Sequence, residues 1–523
     1  MPIIRTRIES LVCLILLSAA LPLLLSGCTT IGVGAAIGVE TDSASSNPDK
    51  LRVINRLTWG VNATTLKHAE QIGLKNFIEE QLSRQLPLPD QVTEQINAMS
   101  ISRRPVVGLV QDMEQQRKDA DAIKEDEPKK KAQQAYQESM NQLSREAAGR
   151  TLLRAVYSPN QLHEQMVSFW MNHFSVHQSK HNLRAMVGDF EESAIRPHAL
   201  GKFRDLLKAT VFHPAMIRYL DNEQNAAKQL NENYARELME LHTLGIGGGY
   251  SQQDVQELAR VLTGVGINLG TSTPAVRADL SAQYVRRGLF EFNPNRHDFG
   301  TKSLLGSPIG SKGLSEVDEA IDRLSRHSAT ARFISEKLVI FFVADDPSQA
   351  LVNRVAATFT ASDGDIAATL RTLFETREFK TSLGKKFKTP LQYVVSSIRL
   401  AYDTKPILNA GPMFYWLNRM GQPLFGRQTP DGYPTSETAW ASPGQMTTRF
   451  EIAKAMGSGS AGLFKPEGLQ SVEVPAFPQL ASALFFTRLQ PTLSLATRSA
   501  MDRAASPQEW NMLLLSSPEM MRR

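Results

Sequence analysis

Hydrophobic residues recur at helical spacing along most of this chain. From residue 51 onward, apolar positions three and four apart alternate with polar ones, which is typical of amphipathic helices. Alternating or strand–helix–strand patterns are scarce. The spacing therefore predicts an all-α fold, a multi-helix, bundle-like domain with long irregular loops and few or no regular strands. The clearest later helices are predicted at 317–327, 330–343, 349–361, 365–377 and 391–401.

The stretch 231–250, NENYARELMELHTLGIGGGY, combines the helical pattern with an unusual density of ionisable residues. At about 100° per residue, Asn233, Glu237 and Glu240 fall within roughly 60° of one another, beside the apolar face. In a regular helix His242 lies about 200° from Glu240, on the other flank. This edge of three polar residues is the strongest candidate for a functional site.

The glycines at 245 and 247–249 predict the end of this helix, because they supply the positive φ angles of helix ends and tight turns. Ser251 and Asp254 then resemble a capping box that opens the next helix. The unit is predicted to be a helical hairpin.

The first residues have the pattern of a secretory signal. Arg5 and Arg7 precede an apolar run at 11–25, which is too short to span a bilayer comfortably. The run ends in Leu-Ser-Gly-Cys at Cys28, which resembles the bacterial lipobox, in which cleavage before the cysteine leaves it to carry the lipid. Thr29 stands where an aspartate would retain a lipoprotein in the inner membrane. We expect an exported protein, anchored through Cys28 to the outer membrane and facing the periplasm.

The same reading divides the chain into a signal peptide (1–27), a small and polar tether (28–50) and a single large helical domain (51–523). A charged helical excursion is predicted at 111–150, interrupted at Pro128, and a loop-rich part at 402–523. Cys13 lies in the segment that cleavage removes. The mature chain then has neither a disulfide nor a thiol nucleophile.

Composition narrows the function further. The hydrophobic share of 42% is ample for a core, and 58 basic against 53 acidic residues give a formal charge of +5. Such a mixed surface lacks the basic stripe of a nucleic-acid binder, so no nucleic-acid partner is expected. The sequence also has no G-x-S-x-G, H-E-x-x-H, Walker glycine loop or C-x-x-C pattern. The common hydrolase, zinc-protease, nucleotide and redox motifs are therefore absent.

Several stretches in order resemble one bacterial family, domain of unknown function 1800. The resemblance extends from about residue 51 to near the C-terminus and is carried by FWMNHF from Phe169, IRPHALGKFRDLL from Ile195, HPAMIRYLDN from His213, NENYARELMELHTLG from Asn231, GGYSQQDVQELARVLTG from Gly248, RHDFG from Arg296, TARFISEKL from Thr330, FKTP from Phe387 and GQPLFGRQTPDGYP from Gly421. The family's activity is unsettled. Its members are exported proteins, often encoded beside a companion family similar to sulfatases and phosphatases, which implies work on the envelope or on an exported polymer.

The candidate site joins His173 with the polar edge of the central helix. Two carboxylates held beside an apolar face must raise a pKa, bind a cation or pair with arginine. The first two outcomes favour a carboxylate acid/base or metal-assisted enzyme. Its candidate catalytic residues are Glu237, Glu240, His173, Asn233, Arg236 and His297, and the candidate ligands of a divalent metal are His173, Glu237 and Glu240.

The third outcome is structural. Glu232, Arg236 and Glu240 are spaced for ion pairs within the helix, and Glu237 is placed to pair with Arg260 across the hairpin. A further metal hypothesis rests on the four-residue steps from His173 to His177 and His181. That hypothesis requires the helix to continue through a polar run.

Two functions therefore remain open. The first is a lipid-anchored helical envelope protein that binds a partner, such as the sulfatase- or phosphatase-like companion, through the charged excursion or the loop at 421–440. The alternative is the metal-assisted or carboxylate enzyme acting on an envelope or exported polymer. The sequence determines neither the substrate nor whether the protein is an enzyme.

Overall fold

Helices account for most of the computed structural model, which describes residues 47–83, 85–466 and 477–523. Residues Ser46–Arg523 form one compact unit. The structure is 64% helical and 4% strand, so the all-α prediction is confirmed. Cys28, the signal peptide and most of the tether lie outside the described residues. Among the helices that are described, none is both long and apolar enough to cross a bilayer.

The first half of the unit contains thirteen α-helical segments among the described residues: α1 (Asn47–Leu57), α2 (Ala63–Ile72), α3 (Leu74–Ser83), α4 (Asp90–Ala98), α5 (Ser100–Arg103), α6 (Val106–Ala122), α7 (Asp126–Tyr157), α8 (Gln161–His173), α9 (Val187–Asp189), α10 (Phe203–Val211), α11 (Pro214–Tyr219), α12 (Asn233–Glu237) and α13 (Gln252–Val261). The second half continues with α14 (Leu314–Arg326), α15 (Ser328–Phe342), α16 (Gln349–Ala361), α17 (Ile366–Glu375), α18 (Arg377–Ser382), α19 (Pro390–Tyr402), α20 (Gly411–Arg419), α21 (Glu437–Trp440), α22 (Pro443–Gly457), α23 (Leu495–Asp502) and α24 (Pro507–Leu515). Among them, the bounds of α14 to α17 and of α19 agree closely with the helices predicted between residues 317 and 401.

Two small antiparallel sheets interrupt the helices. Strand β1 (Val265–Ile267) pairs with β3 (Phe290–Phe292), and β3 also pairs with β2 (Val285–Arg287). Strands β4 (Ser303–Leu304) and β5 (Ser307–Pro308) form the second sheet.

The apolar residues bury themselves in two clusters that α7 connects. Met140 and Leu143, in the middle of α7, belong to a cluster built around α8, α10, α14 and α15. Leu152 and Val156, near its end, belong to a second cluster with α19, α20, α22 and α24. One 32-residue helix thus contributes to both clusters and connects the two halves of the core.

The charged excursion is a pair of contacting helices, α6 and α7. The break between them falls at residues 123–125, before Pro128 and not at it. Pro128 lies in the first turn of α7, where its missing N–H has no intrahelical acceptor to lose. The charged segment is therefore interrupted as predicted, but the interruption lies at residues 123–125 and Pro128 does not cause it.

The central hairpin forms with a change of helix type. After α12, residues Leu238–Thr243 form a π-helical turn, in which backbone bonds join residues five apart. Gly245, Gly247 and Gly249 have positive φ angles. Ser251 and Asp254 make the predicted capping box at the start of α13. The regular 100° spacing used to place His242 relative to Glu240 consequently does not hold here.

Candidate functional site

A cavity of about 280 Å³ lies where α8, α15 and the loop at 421–440 meet. Phe169, Asn172 and His173 of α8 form one wall, and Lys337 of α15 faces them. Residues of the 421–440 loop close the remaining side. We call this space the central cavity. Because it contains the candidate residue His173, the other predicted site residues can be compared to it.

His173 is the last residue of α8, and both of its ring nitrogens form hydrogen bonds. Its Nε2 lies 3.1 Å from the carbonyl oxygen of His242, and its Nδ1 lies 3.2 Å from Nζ of Lys337. Because the carbonyl only accepts, Nε2 must carry the proton and Nδ1 must accept from Lys337. Burial, the Lys337 charge and His242 hold the pKa of His173 well below its usual value. The imidazole is therefore neutral, with a single tautomer.

His242 supplies this acceptor from the π-helical turn. Its own ring is buried, and Nε2 has no hydrogen-bond partner among the described residues. Burial lowers the pKa of the ring to about 3, so the ring is neutral as well. The His242 ring packs against Phe174, at a centroid separation of 5.1 Å.

Lys337 is a half-buried cation in this cavity. Its Nζ lies 4.8 Å from the centre of the Phe333 ring and bonds to His173. Within the part of the chain that the structure describes, no carboxylate forms an ion pair with it. Burial lowers its pKa to about 8, and the charge of Asp431 opposes that shift. Lys337 therefore populates both protonation states near neutral pH.

The 421–440 loop is fixed to the body by side-chain amides and a phenol. Asn172 donates to the Tyr433 carbonyl at 2.9 Å and accepts from the Tyr433 N–H at 2.7 Å. Tyr219 donates to the Gln428 carbonyl at 2.8 Å. Trp440 is buried and Tyr433 is half-buried, so these two aromatic side chains of the loop pack on the body. The loop is a wall of the cavity.

An arginine–aspartate pair marks the outer part of this wall. Arg427 contacts both carboxylate oxygens of Asp431, at 3.0 and 2.9 Å. Asp431 is exposed, whereas His173 is buried, so the pair lies nearer to solvent than the imidazole. A ligand entering from this side meets a charged pair first and Lys337 further inside.

The central helix places its predicted site residues outside the cavity. Asn233 donates to the Leu220 carbonyl, and Arg236 pairs with Glu232 at 3.1 Å. Glu240 accepts a 3.4 Å hydrogen bond from the Tyr250 hydroxyl. These side chains hold local structure. The predicted Glu232–Arg236 ion pair forms, while Glu240 bonds to Tyr250.

Glu237 is the carboxylate of this helix with a perturbed pKa. Burial raises its pKa, and the neighbouring Glu240 and Asp431 raise it further against the effect of Arg236. It does not pair with Arg260, which instead binds Glu257 and Asp298 at 2.8 Å each. The negative charge of Asp431, at the outer wall of the cavity, therefore affects the pKa of Glu237, although Glu237 does not line the cavity.

His297 belongs to a different, buried cluster. Its Nε2 lies 3.3 Å from Glu316, which also pairs with Lys302 at 2.8 Å. Its Nδ1 lies 2.7 Å from the Thr263 carbonyl. This cluster joins the turn after β3 to α14. The structure thus does not bring His297 together with His173.

The candidate metal ligands are not assembled into one group. No three His, Cys, Asp or Glu side chains in the described ranges lie close enough together to hold a metal ion. The three-histidine alternative also fails geometrically, because α8 ends at His173 and His181 has a φ of 50° in the turn beyond it. Both nitrogens of His173 are already engaged.

Lys337 belongs to the TARFISEKL stretch, but the sequence does not predict that it lines a cavity. A lysine next to Glu336 on a helix is typical of a solvent-exposed face. The burial that shifts its pKa comes from α8 and the 421–440 loop, more than 80 residues away on each side. Only the fold could identify it.

Residues 52–522 match the family described as Protein of unknown function (DUF1800), and the chain belongs to that family. No curated protein and no solved structure matches it.

Proposed function

We propose that this chain is an exported, lipid-anchored envelope protein that acts as an acid/base enzyme on one unit of an envelope or exported polymer bound in the central cavity. Lys337 is the proton-transfer group. The observation that carries the proposal is a half-buried lysine, unpaired with any carboxylate of the described residues, that bonds to a histidine of fixed tautomer.

The pKa of about 8 suits Lys337 to this role. At pH 7 roughly one molecule in eleven carries the neutral amine, and the ammonium form remains abundant. A group with a pKa near the working pH can both accept and donate a proton during a reaction. His173 positions Lys337, because its neutral Nδ1 accepts one ammonium hydrogen and orients the others.

The cavity restricts the substrate. A volume of about 280 Å³ lies just below the range of roughly 300 to 1,000 Å³ typical of small-molecule sites, so it holds one compact unit and not a long chain segment. Phe169, Phe341 and Tyr433 offer aromatic surfaces, and Arg427 offers a cation at the outer wall. We expect a substrate unit with an apolar face and a polar or anionic substituent.

Anchoring rests on the sequence around Cys28. Acyl chains contribute roughly 0.8 kcal/mol of membrane affinity per buried CH₂, whereas the polar tether contributes none. A Cys28→Ser variant should leave the membrane fraction and become soluble in the periplasm. Retention of this variant in the membrane would contradict the lipoprotein assignment.

Turnover with matched lysine variants tests the enzyme proposal. We expect Lys337→Met to abolish conversion of envelope or exported polysaccharide substrates, and Lys67→Met, which removes an exposed lysine of α2, to leave it unchanged. The wild-type rate should change near pH 8. A Lys337→Met protein with wild-type rate would refute the assignment. Repeating the assay with EDTA separates the metal-assisted version of the reaction from the metal-free one.

A second candidate function is binding of the sulfatase- or phosphatase-like companion. Tyr415 and Phe450, on the contacting helices α20 and α22, are 59% and 44% exposed and lie beside the Arg419–Glu451 ion pair. If the protein is an adaptor, a Tyr415→Ser, Phe450→Ser double variant should lose the companion in pull-down, and Lys337→Met should keep it. The reverse pattern would exclude this surface.

A further inference from the structure

A second cavity, of about 460 Å³, lies beside the N-terminal end of α19. Its outer part is formed by exposed Arg52 and Lys385, and its inner part by buried Lys388, Val61 and Leu514. We call it the Lys388 cavity. The cavity therefore extends from basic side chains at its opening to a buried lysine at its inner end.

Lys388 is 3% exposed. Across residues 47–83, 85–466 and 477–523, no oxygen forms a hydrogen bond or ion pair with its Nζ. Its backbone is fixed, because its N–H donates to the Met521 carbonyl at 2.8 Å and its carbonyl accepts from Arg449 at 2.7 Å. A buried cation without a counter-charge is costly, and proteins rarely retain one without a partner.

The groups around Lys388 are themselves positive and do not balance its charge. Burial, together with the nearby charges of Arg449 and Arg523, lowers the pKa of Lys388 to about 7. Lys388 also lies two residues before α19, whose N-terminus carries a partial positive charge. These neighbours all favour an anion at this point and disfavour an isolated ammonium.

The acidic residue of this cavity does not supply the charge. Glu519 accepts from the Ser494 N–H at 2.8 Å and from the Thr497 hydroxyl at 2.9 Å. Burial opposes its ionisation, but these hydrogen bonds outweigh burial and lower its pKa. Glu519 is therefore an ionised carboxylate engaged with α23.

The rest of the inner wall is aliphatic. The buried side chains that surround the space beside Lys388 belong to Leu51, Val61, Leu489, Leu493 and Leu514. The central cavity is separate, although its wall includes Trp59 and Thr389, the immediate chain neighbours of Gly60 and Lys388. Successive residues of the FKTP motif thus border different cavities.

We propose that the Lys388 cavity binds an anionic amphiphile, with a carboxylate or phosphate head paired to Lys388 and an aliphatic chain against Leu51, Val61, Leu489, Leu493 and Leu514. This site is independent of the proposed enzyme activity. The head supplies the counter-charge that the described residues lack, and the chain covers aliphatic surface.

Calorimetric titration of the wild-type full chain with three ten-carbon probes tests the proposal directly. Decanoate and decyl phosphate are used below their critical micelle concentrations, and 1-decanol is used below its solubility limit in water. We expect saturable one-to-one binding of at least one of the two anions, and at least tenfold weaker binding of 1-decanol. Equal binding of the alcohol, or no binding of either anion, would overturn the proposal, and this comparison needs no variant.

Two lysine variants locate the head. Lys388→Met keeps the length and apolar stem of the side chain, and it should weaken anion binding at least tenfold while raising the melting temperature of the ligand-free protein, because the unpaired charge is gone. Lys337→Met, in the central cavity, should bind the anions as the wild type does. Unchanged anion affinity in Lys388→Met would place the ligand elsewhere.

Mass spectrometry of a solvent extract of the purified protein distinguishes the sources of the head. A free fatty acid identifies a carboxylate ligand, and a phospholipid or its monoacyl derivative identifies a phosphate. Loss of the extracted species from Lys388→Met supports the site. Equal amounts from wild type and variant would contradict it.

Discussion

Replacing Asn172 with Ala removes both hydrogen bonds that join its side-chain amide to the backbone of Tyr433. Each such bond contributes roughly 0.5 to 1.5 kcal/mol net, so the closed form of the 421–440 loop should lose about 1 to 3 kcal/mol. Since 1.4 kcal/mol corresponds to a tenfold change, the loop should open about 5 to 150 times more often. The helices that Asn172 does not touch should be unaffected.

Hydrogen exchange read by mass spectrometry measures this change locally. Peptides that cover residues 421–440 should exchange faster by that factor in Asn172→Ala, while peptides from α16 should not change. Global melting is a poor assay here, because for a unit of this size the same loss moves the melting temperature by only about 1 to 3 °C. Unchanged loop exchange, or an equal increase in α16, would refute the clamp.

Two glycines of the same loop provide a matched comparison. Gly432 and Gly421 have φ angles of 78° and 74°, so alanine is strained at both. A Cβ at Gly432 would also lie 2.2 Å from the Asn172 carbonyl oxygen, whereas a Cβ at Gly421 meets nothing within 4 Å. Gly432→Ala should therefore open the loop far more than Gly421→Ala. Equal effects would show that backbone strain alone controls the loop.

Two further predictions concern buried ionisable groups. The pKa of Glu316 is lowered, because hydrogen bonds from His297 and Lys302 outweigh the opposing effect of burial. The ionised carboxylate therefore stabilises the fold at pH values above the unfolded pKa of about 4.3, and this stabilisation is lost as pH falls through the folded pKa. Denaturant titrations should show Glu316→Gln losing about 3 to 5 kcal/mol at pH 7 and less of it below pH 4, and a loss that is constant from pH 7 to pH 3 would contradict the ionic role. For His242→Phe we expect no loss of thermal stability, since the unpartnered ring nitrogen is removed and the backbone carbonyl that binds His173 stays; a lower melting temperature would show that the His242 ring makes a stabilising interaction.

Most of the fold could be predicted from the periodicity of apolar residues. Helix α16 buries Leu351, Val352, Val355 and Phe359 on one face. Helix α19 is buried on nearly every side, and its start carries a local signal, the Thr389 and Gln392 capping box. The capping box of α13 and the glycine turn before it depend on neighbouring residues alone. Local chemistry of this kind can be read directly from the chain.

The arrangement of the site could not be predicted in the same way. Helical projection placed His242 on the flank opposite Glu240 by assuming regular spacing, whereas Leu238–Thr243 form a π-helical turn. The sequence also offers His297 as a candidate for the same site as His173, whereas Glu316 and Lys302 hold His297 in another part of the fold. Lys337 and Asp431 line the same cavity only because α15 and a distant loop pack on α8. Such long-range packing leaves no periodic signal in the sequence.

The pKa of Lys337 tests the central claim most directly. Competitive acylation of the full chain with acetic anhydride between pH 6 and 11, read by mass spectrometry, gives the titration of each reactive lysine, with the exposed lysines as internal references. The account predicts that Lys337 titrates near pH 8 and that a His173→Gln variant alters its titration. Titration of Lys337 near 10.4, the ordinary value for lysine, would contradict the proposed site.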